Sequence, residues 1–235
     1  MDIKQVLSIP RYSNLRCSTF GLDSAEHCLN PDHFRNYPES ITYQFNELGY
    51  RDQSYLEYRG NEILAIGDSF TLGLGVNIEQ TWPSVLAGLV DHPVRNFSLN
   101  GASNDWMGRR IKDLVNFFLP PLIIVHYSFS HRRENSFIDW HDDERTESEP
   151  VYTNDQNISN WQKNYEIFNS LPVPVIHSFI ADWDSVGIDY KPLGQNILPP
   201  VEKKDLARDG FHYGVKTNYL LAQDLANITN LLAVL

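Results

Sequence analysis

The feature that most constrains this chain is an alternation of short apolar runs with helix-like stretches from residue 61 onward. Apolar runs rich in strand-forming residues occupy residues 63–66, 94–99, 122–127 and 173–180. Helical patterns follow at residues 82–89, 106–118, 159–168 and 217–232. Strands that alternate with helices need crossover connections, which predict a mostly parallel sheet covered by helices on both faces.

Local residues indicate where two of these helices begin. Thr81 can cap a helix that starts at Trp82, and Pro83 is tolerated in the first turn of that helix. The next helix can be capped by Ser103 or by Asn104, and both alternatives stay open.

Two segments lack this rhythm. Residues 1–60 show weak periodicity and many turn formers, and no flexible linker follows them, so we expect an N-terminal arm of irregular structure and short strands packed on one α/β domain, residues 61–235. Residues 132–160 are polar, acidic and too long for a routine connection, which predicts a surface excursion near the strand ends.

The charge balance limits the partners of the protein. With 30 acidic and 19 basic side chains, the formal net charge is -11, which disfavours nucleic acid and anionic membrane surfaces. We see no signal segment and no apolar run of about 20 residues, and therefore expect a cytoplasmic protein. Cys17 and Cys28 are expected to be free thiols, although one bridge between them is an alternative.

The first apolar run ends in Gly67-Asp68-Ser69, which would place a serine at the edge of the sheet. Where a strand leads into a helix, that serine would lie beside free backbone N–H groups. Gly67 allows the backbone to turn, and Asp68 can cap the next turn. Gly-Asp-Ser is also an ordinary turn sequence, so this block alone leaves both interpretations open.

A serine nucleophile needs a base, and the best candidate lies just before the last helix. Asp209 and His212 are three residues apart, so the carboxylate can orient one ring nitrogen while the other faces a hydroxyl. The alternative is a surface histidine beside a turn made by Asp209 and Gly210.

The other histidines fit structural roles better. His126 and His177 lie inside apolar strands and are expected to be hydrogen-bonded core residues. His141 lies in an acidic, solvated segment, where a metal site is the less favoured interpretation.

Several blocks in order resemble the SGNH (GDSL-type) hydrolase superfamily over roughly residues 45–235. GDSFTLGLGV at residues 67–76, continued by Thr-Trp-Pro at 81–83, resembles the first block of the family, and residues 45–52 resemble its lead-in. NFSLNGAS at residues 96–103 resembles the second block, and Asp209 with His212 matches the last one.

The resemblance implies a three-layer α/β sandwich around a mostly parallel, flavodoxin-like sheet of about five strands. It also implies a serine esterase that needs no metal or organic cofactor, with Ser69 as nucleophile, His212 as base and Asp209 as its orienting carboxylate. The backbone N–H groups of Ser69 and Gly101 would stabilise the oxyanion.

The third block of the family, Gly-x-Asn-Asp, is not matched after the third strand. The sequence there runs from Ser128 to Glu134, so Ser130 is the expected substitute oxyanion donor and His131 the second choice. The dipeptide Asn104-Asp105 follows the second strand and is misplaced for this role.

Arg132 and Arg133 come next and could bind an anionic group of the substrate. The favoured alternative pairs them with acidic neighbours, Glu134, Asp142, Asp143 or Glu144. Asp68, Asn100 and His131 complete the candidate substrate-binding residues. We expect a small-molecule or carbohydrate ester as substrate, with a short acyl group such as O-acetyl. The alternatives are an O-acyltransferase that uses the same site and a catalytically weak carbohydrate-binding module.

Overall fold

The computed structural model describes residues 3–58, 60–134, 152–181 and 196–232. Its main element is a sheet of five parallel strands, in the spatial order β4-β3-β5-β6-β7. The strands are β3 (Ile63–Ile66), β4 (Val94–Asn96), β5 (Ile123–Tyr127), β6 (Val175–Phe179) and β7 (Ile197–Pro200). A separate antiparallel pair joins β1 (Arg16–Cys17) to β2 (Tyr43–Gln44).

Helices flank the sheet and complete a three-layer α/β sandwich. The helices are α1 (Ile3–Leu7), α2 (Pro31–Asn36), α3 (Ser69–Leu72), α4 (Trp82–Val90), α5 (Asn104–Phe118), α6 (Asn154–Asn169) and α7 (Val215–Leu232). Helix α4 packs against α7, and α5 packs against α6. None of the helices in the described residues is both long and apolar enough to cross a membrane.

The central strands are mostly apolar because both of their faces are covered. Every residue of β3, β5 and β6 is buried. The sequence patterns predicted four of the five strands of this sheet and missed β7. That strand lies at one edge, is only half-buried and ends in Pro199 and Pro200, which an edge strand tolerates because one side needs no partner.

Several boundaries differ from the sequence prediction. Strand β4 ends at Asn96 rather than at residue 99, and α7 begins at Val215 rather than at 217. Helix α6 begins at Asn154, five residues earlier than predicted and inside the proposed excursion, because Thr153 forms a capping box with Gln156. The remainder of that excursion, residues 135–151, lies outside the described residues and includes His141.

The first sixty residues contribute to the same apolar core as the sheet, with buried side chains such as Leu7, Tyr43 and Tyr50. The guanidinium of Arg51 is buried and donates to the backbone oxygens of Leu72, the last residue of α3, and of Gly73 and Val76, which follow it. Cys17 and Cys28 are free thiols, as expected.

Candidate active site

Ser69 lies at the carboxyl end of β3, as the first residue of α3. Asp68 caps this helix by accepting a hydrogen bond from Phe70 N–H at 3.0 Å. A Cβ at Gly67 would lie 2.1 Å from Thr71 Oγ1, so only glycine fits this turn. The predicted helix-like stretch is a single turn, and its first N–H groups, including that of Ser69, have no acceptor within the helix.

The side chains of Ser69, His212 and Asp209 form a continuous hydrogen-bonded series. Ser69 Oγ lies 2.8 Å from His212 Nε2, and His212 Nδ1 is hydrogen-bonded to Asp209 Oδ2. Ser69 and His212 are each 2% exposed, and Asp209 is fully buried. The alternative of a surface histidine at 212 is therefore wrong.

The loop around Asp209 is organised by its own carboxylate. Oδ1 of Asp209 accepts from the N–H groups of Phe211 at 2.9 Å and His212 at 3.0 Å. Burial by itself would raise the pKa of Asp209, but the imidazole of His212 and these N–H groups outweigh it and lower the pKa below its ordinary value. The carboxylate is therefore ionised at neutral pH and can hold the imidazole in one orientation.

Aromatic rings fix the imidazole from two sides. The centroid of the Phe70 ring lies 4.5 Å from that of His212, and the Phe211 ring meets His212 edge-on at 5.1 Å. Phe70 follows Ser69, and Phe211 precedes His212. The two loops therefore pack on each other through the residues next to the reactive groups.

Gly101 lies in a tight turn after β4. Ala102 N–H donates to Leu99 O at 3.1 Å, and Gly101 at the third position has a φ of 75°, which favours glycine. Leu99 N–H in turn donates to Gly67 O at 3.2 Å, which ties this turn to the Ser69 turn. The hydrogen bond of the turn uses the N–H of Ala102 and not that of Gly101.

Asp68 lies in a buried polar cluster that the sequence did not reveal. Ser128 Oγ donates to Asp68 Oδ2 at 2.6 Å, and Arg132 Nη1 lies 2.8 Å from both of these atoms. Arg132 pairs with Asp68, and Glu134 pairs with Arg109; the other predicted acidic partners, Asp142, Asp143 and Glu144, lie outside the described residues. The only local signal for Ser128 was its place directly after β5.

Asn104 is also structural. Its Oδ1 accepts from Ser128 N–H at 2.9 Å, and its Nδ2 donates to Ser128 O at 3.3 Å. Ser103, and not Asn104, caps α5, because its hydroxyl accepts from Trp106 N–H at 3.2 Å. The amide of Asn104 therefore connects the segment after β4 to the segment after β5.

The remaining candidates lie in the surrounding turns. Ser130 lies in the turn after β5, where its carbonyl accepts from Arg133, and within the described residues it makes no hydrogen bond to the Ser69 series. His131 is exposed beside Phe129. Arg133 turns towards α6, where it donates to Asn157 Oδ1 at 2.9 Å. Asn100, half-buried, immediately precedes Gly101.

His126 and His177 are hydrogen-bonded core residues, as predicted. His126 bonds Ser178 Oγ at 2.8 Å and Tyr213 OH at 3.2 Å, and His177 Nδ1 lies 3.0 Å from Tyr127 OH. Burial lowers the pKa of His126 to about 4 and that of His177 to about 3. Both rings are therefore neutral in the folded protein near pH 7.

Comparisons with known proteins show similarity only at the level of structure. No protein-family model matches the chain, and a comparison with curated proteins finds no match. A G-D-S-L family lipolytic protein from Desulfitobacterium hafniense has a TM-score of 0.51 and 17% identity, over 71% of this chain and 98% of its own.

Two further solved structures resemble the chain to the same degree. The psychrotrophic esterase EstA from a Pseudoalteromonas species has a TM-score of 0.51 and 11% identity, over 74% of this chain and 98% of its own. A family two carbohydrate esterase from Clostridium thermocellum was solved in complex with cellohexaose. It has a TM-score of 0.51 and 13% identity, over 76% of this chain and 66% of its own. The chain therefore has the fold of the SGNH (GDSL-type) hydrolases, which confirms the fold that its sequence blocks predict.

Proposed function

We propose that this protein is a serine ester hydrolase whose nucleophile is Ser69. The observation that carries the proposal is the 2.8 Å contact between Ser69 Oγ and His212 Nε2, with the opposite ring nitrogen bonded to Asp209. A hydroxyl is a weak nucleophile unless a base removes its proton, and an imidazole oriented by a carboxylate is such a base.

In the proposed reaction, Ser69 Oγ attacks the ester carbonyl while His212 Nε2 takes its proton. The carbonyl oxygen becomes an oxyanion that accepts hydrogen bonds from the Ser69 and Gly101 N–H groups and from the Ser130 hydroxyl. When the intermediate collapses, His212 returns the proton to the leaving alkoxide and an acyl-enzyme remains. Water, deprotonated by His212, then attacks the acyl group; His212 returns that proton to Ser69 Oγ as the bond to the serine breaks, and a carboxylic acid is released.

As the substrate class we propose short acyl esters, with O-acetyl groups on carbohydrate as the first choice. The structural neighbour from Clostridium thermocellum is a carbohydrate esterase, which supports testing sugars first. The test is hydrolysis of p-nitrophenyl acetate, followed by a series of acetylated sugars and longer acyl esters. The Ser69→Ala variant should lose the activity, whereas equal slow release by both proteins would contradict the proposal and favour a binding module.

A further inference from the structure

The loop that carries Asp209 and His212 is held by residues of the N-terminal arm. Leu29 N–H donates to Asp209 O at 3.2 Å, and His33 Nε2 donates to Ala207 O at 2.9 Å. The backbone of this loop is therefore held by residues from the first sixty, immediately beside the proposed orienting carboxylate.

The strongest of these contacts is a buried ion pair between Asp23 and Arg208. Arg208 donates from Nε to Asp23 Oδ1 at 2.8 Å and from Nη2 to Asp23 Oδ2 at 2.6 Å, a bidentate arrangement. Asp23 is fully buried and Arg208 is 9% exposed, so the pair is shielded from solvent. Because Arg208 directly precedes Asp209, this ion pair restrains the backbone that carries the proposed orienting carboxylate.

Asp23 also connects the loop to the segment that follows Ser69. Tyr43 OH donates to Asp23 Oδ2 at 2.6 Å and accepts from Gly75 N–H at 2.8 Å. Gly75 O accepts from Arg208 N–H at 3.0 Å, which closes the network. One carboxylate of the arm is thus bonded, directly or through Tyr43, to both segments that must meet at the site.

We propose that Asp23 is a positioning residue that sets the distance between Ser69 and His212. This inference rests on the proposed esterase function. The two reacting groups lie 143 residues apart on separate elements, so their spacing depends on how the two loops dock. A displacement of about 1 Å at a reacting group can cost roughly a hundredfold in rate, so loss of this contact should slow the chemistry.

The chain offers a matched control in a second buried ion pair. Glu62, which is 2% exposed, pairs with Arg95 at 3.4 Å at the amino end of β3, the end of the sheet opposite Ser69. Glu62→Gln removes a buried carboxylate without touching the loops of the site. A comparison with this variant therefore distinguishes a general loss of stability from a specific change in the positions of Ser69 and His212.

The test compares the wild type with Asp23→Asn, Tyr43→Phe, Arg208→Lys and Glu62→Gln. We would measure the rate at which a fluorophosphonate labels Ser69, kcat and KM on p-nitrophenyl acetate, and unfolding in urea. Asp23→Asn should lower the labelling rate and kcat by roughly ten- to a hundredfold with KM changed less than about twofold. Tyr43→Phe and Arg208→Lys should show smaller losses, and Glu62→Gln should lose stability but keep its labelling rate.

The proposal is overturned if Asp23→Asn is labelled as fast as Glu62→Gln. Should Asp23→Asn fail to fold, Tyr43→Phe and Arg208→Lys decide, and wild-type labelling rates in both would overturn it equally. A wild type that is neither labelled nor hydrolytic contradicts the esterase function instead. In that case the NMR signal of the His212 Nδ1 proton tests the positioning alone: it should shift in Asp23→Asn, and an unchanged signal contradicts the inference.

Discussion

Arg132 Nη1 lies 2.8 Å from Oδ2 of Asp68, the residue that immediately precedes Ser69. The Asp68 side chain is fully buried and that of Arg132 is 13% exposed, so the pair is shielded from solvent. Ser128 bridges the same two groups. The loop after β5 is thereby bonded to the turn that presents the proposed nucleophile.

We expect removal of Arg132 alone to be costly, because it leaves the Asp68 carboxylate buried without its cation. Arg132→Gln should lower the free energy of unfolding by about 3 kcal/mol, measured by urea titration. The double variant Asp68→Asn/Arg132→Gln should be more stable than Arg132→Gln, since asparagine still caps Phe70 N–H and no charge is stranded. The coupling would be contradicted if the double variant lost as much stability as Arg132→Gln and Asp68→Asn lose together.

Asp209 is expected to act by orienting His212. Asp209→Asn should lower kcat by about three to four orders of magnitude with little change in KM, because the amide favours the wrong tautomer of the imidazole. Steady-state kinetics on p-nitrophenyl acetate measure this effect. A loss of less than tenfold would argue against the proposed role.

The dependence of the rate on pH should reflect a base that acts only when unprotonated. We expect kcat/KM to rise with pH and then level off, because a general base accepts the proton of Ser69 only in its unprotonated form. The measurement is a series of initial rates in buffers of constant ionic strength. A rate that is flat from about pH 5 to 9 would contradict the role of His212 as base.

Ser130 is the proposed third donor to the oxyanion, and its hydroxyl can be tested by itself. Ser130→Ala should lower kcat by about tenfold, less than the loss seen when a full oxyanion-hole donor is removed. Ser130→Thr keeps a hydroxyl and should retain most of the activity. Equal kcat values for the wild type and Ser130→Ala would remove Ser130 from the mechanism.

The buried histidines should make the protein sensitive to acid. Because burial lowers the pKa of His177 to about 3, the unfolded chain takes up a proton at this residue in acid before the folded protein does, so stability rises with pH. Both proteins should lose unfolding free energy when the pH is lowered from 7 to 4.5. The loss in His177→Gln should be about 2–3 kcal/mol smaller than the loss in the wild type, because the variant lacks this histidine.

Urea unfolding at the two pH values measures this difference. Other buried groups titrate alike in both proteins and cancel, including Asp52, whose pKa burial raises to about 6. An equal loss of unfolding free energy in both proteins would show that His177 is not the cause of the acid sensitivity.

The sheet was largely predictable because buried parallel strands leave a direct mark on the sequence. The run at 63–66 is continuous and apolar since both faces of β3 are covered, and its boundaries were predicted correctly. Edge strand β7 left no such mark, because it is half-buried and contains prolines. The start of α6 was missed because the capping pair Thr153 and Gln156 lies within a polar segment.

The division between an arm at residues 1–60 and a domain at residues 61–235 stays a prediction, as do the roles of the site residues. The sequence alone identified Ser69, Asp209 and His212 as candidates, because their chemistry and their local spacing are visible in short blocks. It did not identify Asp23 and Arg208, which are 185 residues apart and bear no local pattern.

The amino-acid sequence thus determined the layered α/β fold and indicated the candidate reactive side chains, since both depend on local periodicity and short motifs. Only the tertiary structure decided which charges are paired. It bonded Arg132 to Asp68, and Arg208 to Asp23 of the arm. The physical reason is that a buried charge needs an opposite charge within about 4 Å, and which groups come that close depends on how distant segments pack.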